Sequence, residues 1–156
     1  MVFKKHTNLI MMTQEEKNLL LTDLCGRLPY GVKLYANYVD GIDAKESKGR
    51  LALIDSDLVV AFIDEVEDAN SFTYVALHEV KPYLFPLSSM TKEQKIEYSV
   101  LCYEEEREYY ECGEWVTRVY LHNTIESIDW LNKNHFDYRG LIEKGLAKDT
   151  TELNIY

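Results

Sequence analysis

Residues 80–91, Val80-Lys81-Pro82-Tyr83-Leu84-Phe85-Pro86-Leu87-Ser88-Ser89-Met90-Thr91, divide this chain into two halves of different pattern. Upstream, apolar residues mostly alternate with polar ones. Downstream, they mostly recur at helical spacing. Pro82 and Pro86 each lack an N–H and fix φ, so the pair does not suit a helix interior or a central strand. Between them Tyr83, Leu84 and Phe85 favour burial. The reading is a rigid apolar joint pinned against the core, ending in a helix cap at Thr91.

On the upstream side, Thr13-Gln14-Glu15-Glu16 fits a capping box, and Leu20, Leu21, Leu24 and Leu28 continue it as one helical stripe. Gly26 and Pro29 end that helix. Gly31 to Val39 alternates as a strand, Asp40-Gly41 signals a turn, and Ile42 to Gly49 reads as a polar, mobile loop. Leu51 to Leu53 and Leu58 to Ile63 flank Asp55-Ser56-Asp57 as a hairpin, Glu65 to Ser71 is an acidic loop, and Phe72 to Val80 alternates again. Downstream, Thr91-Lys92-Glu93-Gln94 is a second capping box, predicting a helix over 91–111. Glu114 to Leu121 is a fifth strand, and Asn123 or Thr124 caps a third helix over 124–134. These elements predict an α+β domain: an antiparallel meander of about five strands, able to curl toward a small barrel, packed with about three helices. Residues 1–11 read as a flexible extension and 12–156 as a single domain.

A chain of 156 residues, 46% of them hydrophobic, is long enough for one sizeable core. The formal net charge of −10 repels phosphate backbones and anionic lipid, so nucleic acid is a disfavoured partner unless a local basic patch survives the average. The cysteines, Cys25, Cys102 and Cys112, are odd in number and widely spaced, which points to a reducing, cytoplasmic setting rather than a disulfide framework. No apolar run approaches the ~20 residues of a membrane span.

Little in the sequence designates chemistry. His6, His78, His122 and His135 show no metal-ligand spacing, and the few glycines form no phosphate cradle, so neither metal nor cofactor is expected. Asp55-Ser56-Asp57 begins like a calcium loop but runs into a strand pattern. The densest reactive stretch is Asp129 to Arg139. There Trp130, His135, Asp137, Tyr138 and Arg139 are candidate binding residues, and His135 with Asp137 could make an oriented acid–base pair. The plainer account makes His135 a cation at a helix C-terminus, Asp137 a turn acceptor and Arg139 a surface partner. Twelve tyrosines exceed what a core can hold with satisfied hydroxyls. Tyr109 and Tyr110, beside Glu104 to Glu108, suit a protein partner with an Arg-rich, apolar surface.

Three blocks carry a resemblance: Leu24-Cys25-Gly26-Arg27-Leu28-Pro29-Tyr30-Gly31-Val32-Lys33, Val80 to Met90, and Asp129 to Ile142. In these the chain resembles a group of short uncharacterised proteins of gut Bacteroidales and their phages or mobile elements. Residues 1–11 lie outside the pattern. The resemblance implies a phage or mobile-element setting, in which small acidic proteins often bind and block host machinery. The expectation is therefore a non-enzymatic protein–protein interaction module. The alternative is a small-ligand-binding or hydrolytic enzyme with its site around His135, Asp137 and Arg139.

Overall fold

A computed structural model describes residues 11–55, 59–64 and 72–156. The expected extension lies outside the described residues but for Met11, as do residues 56–58 of the expected hairpin and the whole of the acidic loop expected over 65–71.

The fold is α+β. Helix α1 (Gln14–Arg27) leads into strands β1 (Lys33–Asp40), β2 (Asp43–Ile54), β3 (Val59–Asp64), β4 (Phe72–Ala76) and β5 (Val80–Pro86). Helix α2 (Lys92–Leu101), strands β6 (Tyr103–Glu111) and β7 (Glu114–His122), helix α3 (Ile125–Lys133) and short strands β8 (Phe136–Asp137) and β9 (Lys148–Asp149) complete it. Strands β1 to β5, β8 and β9 form one sheet in the order β4-β3-β2-β1-β5-β8, with β9 also paired to β5. β6 and β7 form a separate two-stranded sheet. The meander β1 to β4 is antiparallel, whereas β8 and β9 run parallel to β5. The described strands form an open path rather than a closed barrel.

The helix starts follow the sequence. Thr13, Thr91 and Thr124 each accept the N–H of the residue three ahead, and Glu16, Gln94 and Ser127 return a bond to the cap's own N–H. Leu20 and Leu24 of α1 are fully buried against Leu34, Ala36, Leu51, Val60, Phe62, Val80 and Leu84 of the sheet. Each such leucine contributes roughly 1.5–3 kcal/mol of transfer free energy. A second, smaller cluster joins Met90, Leu131 and Phe136, with Phe85, Tyr98 and Trp130 packed against it.

Three expectations are corrected. First, the joint is itself a strand, so both prolines sit in β5 inside the sheet. They are accommodated because their missing donors fall at ladder ends. β5 pairs with β1 only from Val80 to Pro82, then with β9 at Tyr83 and Leu84, then with β8 at Phe85 and Pro86. The burial expected of the joint is found, with Tyr83 at 8% exposure, Leu84 at 0% and Phe85 half-buried. Second, Ile42 to Gly49 is no loop but mostly strand β2, paired to β1 from Asp43 onward. Gly41, at φ +67°, heads the two-residue turn before it, a glycine-first geometry suited to hairpins. Third, the second helix stops at Leu101, and Tyr103–Glu111 is β6. Cys112 and Gly113 turn it onto β7 with φ of +50° and +90°, the two positive values of a type I′ connection.

Candidate functional site

The stretch from Trp130 to Arg139 leaves α3 through a left-handed residue. His135 has φ +59°, a conformation seldom taken by residues other than glycine and asparagine. Its carbonyl accepts from the Phe85 N–H at 2.9 Å, so the strained residue ties α3 to β5. The imidazole stacks on Tyr156, ring centres 4.1 Å apart and 13° from parallel. Burial, and then the Arg27 charge, push its pKa down from 6.5 to about 4, so the ring is neutral near pH 7. The helix-end cation expected of His135 is therefore overturned: loss of hydration and a nearby guanidinium outweigh the helix dipole. His135 Nδ1 is buried with no hydrogen-bond partner among the described residues.

The other residues of the stretch are held by packing. Asp137 Oδ1 accepts from the Leu141 N–H at 2.9 Å and Oδ2 from the Ile142 N–H at 2.8 Å, so its carboxylate organises the turn that follows. The Tyr138 hydroxyl donates to Asn132 Oδ1 at 3.1 Å, and the Arg139 guanidinium lies 4.8 Å from the Tyr138 ring centre. Trp130 stacks on Phe136, 5.6 Å between centres. Beneath them lies a pair that sequence reasoning did not single out. Asp23 and Arg27, one helical turn apart, are both 0% exposed. Arg27 donates to both Asp23 oxygens, at 2.7 and 3.0 Å, and to the Phe136 carbonyl at 2.7 Å. Burial pushes the Asp23 carboxyl up, and the Arg27 bonds pull against it. An Asp four residues before an Arg was the available signal, but the same spacing is common on exposed helix faces.

Of the candidates in this stretch, His135 alone lines a cavity, of about 390 Å³, with Phe85, Phe136 and Tyr156 as apolar wall and Gln94 and Lys133 at its polar side. Asp137, Tyr138 and Arg139 do not line it. No three His, Cys, Asp or Glu side chains converge as a metal site among the described residues.

Tyr109 and Tyr110 lie elsewhere, on the β6–β7 hairpin, and face opposite sides of it. Cross-strand register puts Tyr110, Trp115, Val119 and Leu121 on one face with Glu104, Glu106 and Glu108. The apolar four are 64%, 71%, 55% and 50% exposed. The face is thus two lanes, an apolar one mainly along β7 and an acidic one along β6. The opposite face is knitted together. Arg107 and His122 both bond Glu105, Arg118 bonds Glu111, and Arg118 and Arg107 lie 5.3 Å over the rings of Tyr109 and Tyr120. Arg107, and to a smaller degree His122, hold the Glu105 carboxyl below its usual range.

Compared with known proteins, the chain matches no family model, no curated protein and no solved structure. No helix among the described residues is long and apolar enough to cross a membrane.

Proposed function

We propose that this chain is a protein–protein interaction module that docks a basic, apolar partner on the β6–β7 hairpin. One observation carries the reading: a nine-residue-per-strand hairpin pairs with no other strand among the described residues and leaves Trp115, Tyr110, Val119 and Leu121 at least half exposed. A lone two-stranded ribbon is marginal in water, and exposed apolar patches rimmed by charge mark interaction sites. The acidic lane sets the partner's chemistry, since Lys or Arg flanking an apolar ridge matches glutamates flanking one. A second copy fits less well, because pairing two β6 edges would bring glutamates beside glutamates. In the mobile-element setting that the resemblance implies, the partner would be a component of host machinery.

The test is affinity capture at low salt with the wild-type chain and with Trp115→Ser/Leu121→Ser, whose changed side chains are exposed. A partner held by the first and lost by the second supports the reading. The cavity beside His135 favours a second reading, binding of a small ligand. Its volume falls within the range of such sites, and an unpaired buried nitrogen lies in its wall residue. Perturbation of the His135 ring resonances by a fragment set would support it, and unchanged resonances would oppose it. The hydrolytic form of this reading has less behind it, since the Asp137 carboxylate is already committed to two backbone donors.

A further inference from the structure

The net charge of −10 is an average over unlike surfaces. Strand register places Lys33 opposite Arg50, Tyr35 opposite both Lys48 and Lys81, and Tyr83 opposite Lys148. Directly paired residues share a face. Lys33, Lys48, Arg50, Lys81 and Lys148 therefore gather on the side of the sheet turned away from Leu34 and Ala36, the buried positions of β1. Among described strand residues on that face the one carboxylate is Glu46, opposite Asn37, and the Tyr35 hydroxyl bonds to it. Lys48, Arg50, Lys81 and Lys148 make no ion pair among the described residues, and Lys148 sits 4.4 Å over the Tyr35 ring.

The same face is rich in rings. Phe72 and Tyr74 lie opposite Ile63 and Ala61, which continues the face across β3 to β4, and they are 50% and 62% exposed. Tyr35, Lys48, Phe72, Tyr74 and Tyr83 line an open groove of about 910 Å³, whose carboxylates are Asp40, paired with Lys45, and Glu46, bonded by Tyr35. Exposed rings in a groove, with Lys48, Arg50, Lys81 and Lys148 on the same face, are the combination that holds a single strand: bases stack on the rings while lysine and arginine follow the phosphates. A duplex keeps its bases paired and has no use for the rings.

We infer that this sheet face binds single-stranded nucleic acid, with Phe72 and Tyr74 as stacking surfaces and Lys48, Arg50, Lys81 and Lys148 as phosphate contacts. The assignment stands apart from the hairpin reading, since it uses different residues on a different sheet. The chain would then present a basic face and an acidic hairpin, suited to holding a strand and a protein together.

The experiment is fluorescence anisotropy of a labelled oligo-dT of about 15 nucleotides, a length within the site sizes of such grooves. It is run with the full chain, with Lys48→Glu/Arg50→Glu and with Phe72→Ala/Tyr74→Ala, each checked for an unchanged thermal midpoint. The expected result is binding at ~50 mM salt that weakens toward ~200 mM with a log–log slope of about −2 to −3, as three or four phosphate contacts on a single strand require. The Glu pair should weaken binding at least tenfold and flatten the slope, and the Ala pair should weaken it several-fold with the slope kept. Trp115→Ser/Leu121→Ser should bind the oligonucleotide as wild type does, so failure here and failure of the hairpin reading are distinguishable. No binding at low salt, binding untouched by the Glu pair, or a dT·dA duplex held as tightly as the single strand would each overturn the inference.

Discussion

The Asp23 carboxylate takes two hydrogen bonds from the Arg27 guanidinium, at 2.7 and 3.0 Å, in a place where neither side chain meets solvent. Arg27 also reaches the Phe136 carbonyl, so one cation joins α1 to the segment after α3. Such a pair gives little net stability over an apolar replacement, yet removing one partner strands a charge. Arg27→Met leaves the Asp23 carboxylate only the Arg139 guanidinium, 3.6 Å away, and is expected to lower the unfolding free energy by up to about 3–5 kcal/mol. Asp23→Leu/Arg27→Met is expected to recover much of that loss. Urea denaturation of the three chains decides it; a single variant as stable as wild type would mean that water reaches the pair.

Gly49 is a second fixed point. A Cβ there would stand 2.2 Å from the Ile63 carbonyl oxygen and 2.7 Å from the Phe62 ring. Backbone across the β2–β3 ladder cannot yield as a flexible side chain does. Gly49→Ala should therefore cost more than an ordinary substitution, about 3 kcal/mol or above, the range of severe overpacking. Thermal unfolding reads it, and a midpoint within a degree or two of wild type would show that the strands separate there at little cost.

The neutral imidazole of His135 makes stability depend on pH. Its folded pKa, about 4, lies below the unfolded 6.5, so between those values the unfolded chain binds a proton that the native chain does not. The contribution is fully present above pH 6.5 and is lost as pH falls toward 4. Allowing for the ring's partial exposure, the loss should be roughly 1–2 kcal/mol. His135→Asn tolerates the left-handed backbone and should show a shallower fall over that window. Parallel stability curves for the two chains would show that the ring is hydrated.

Much of this was legible in local pattern. The capping boxes at Thr13 and Thr91, the alternation of β1 and the stripe of Leu20 and Leu24 all carried their outcome, because each depends on neighbours in sequence. Tyr103–Glu111 misled because its glutamates favour helix as isolated residues, while the Cys112-Gly113 turn and the β-forming run on β7 pull it into a ribbon. Pro82 and Pro86 misled because a ladder changes partner along β5, which no local pattern records. Among the site residues, His135 was rightly noticed as unusual in its setting, but its charge state depends on Arg27, 108 positions away, and on burial that arises only on folding. The basic sheet face was hidden by the net charge, since its cations come from four strands.

The hairpin is the centre of the functional reading, and its most direct measurement is comparative capture at low and high salt. The wild-type chain should retain a basic partner at low salt and release much of it as salt screens the glutamates. Trp115→Ser/Leu121→Ser should retain none while unfolding within about 0.5 kcal/mol of wild type, as exposed substitutions do. Equal retention by both chains, or no partner held by the wild-type chain even at low salt, would contradict a docking role for the β6–β7 hairpin.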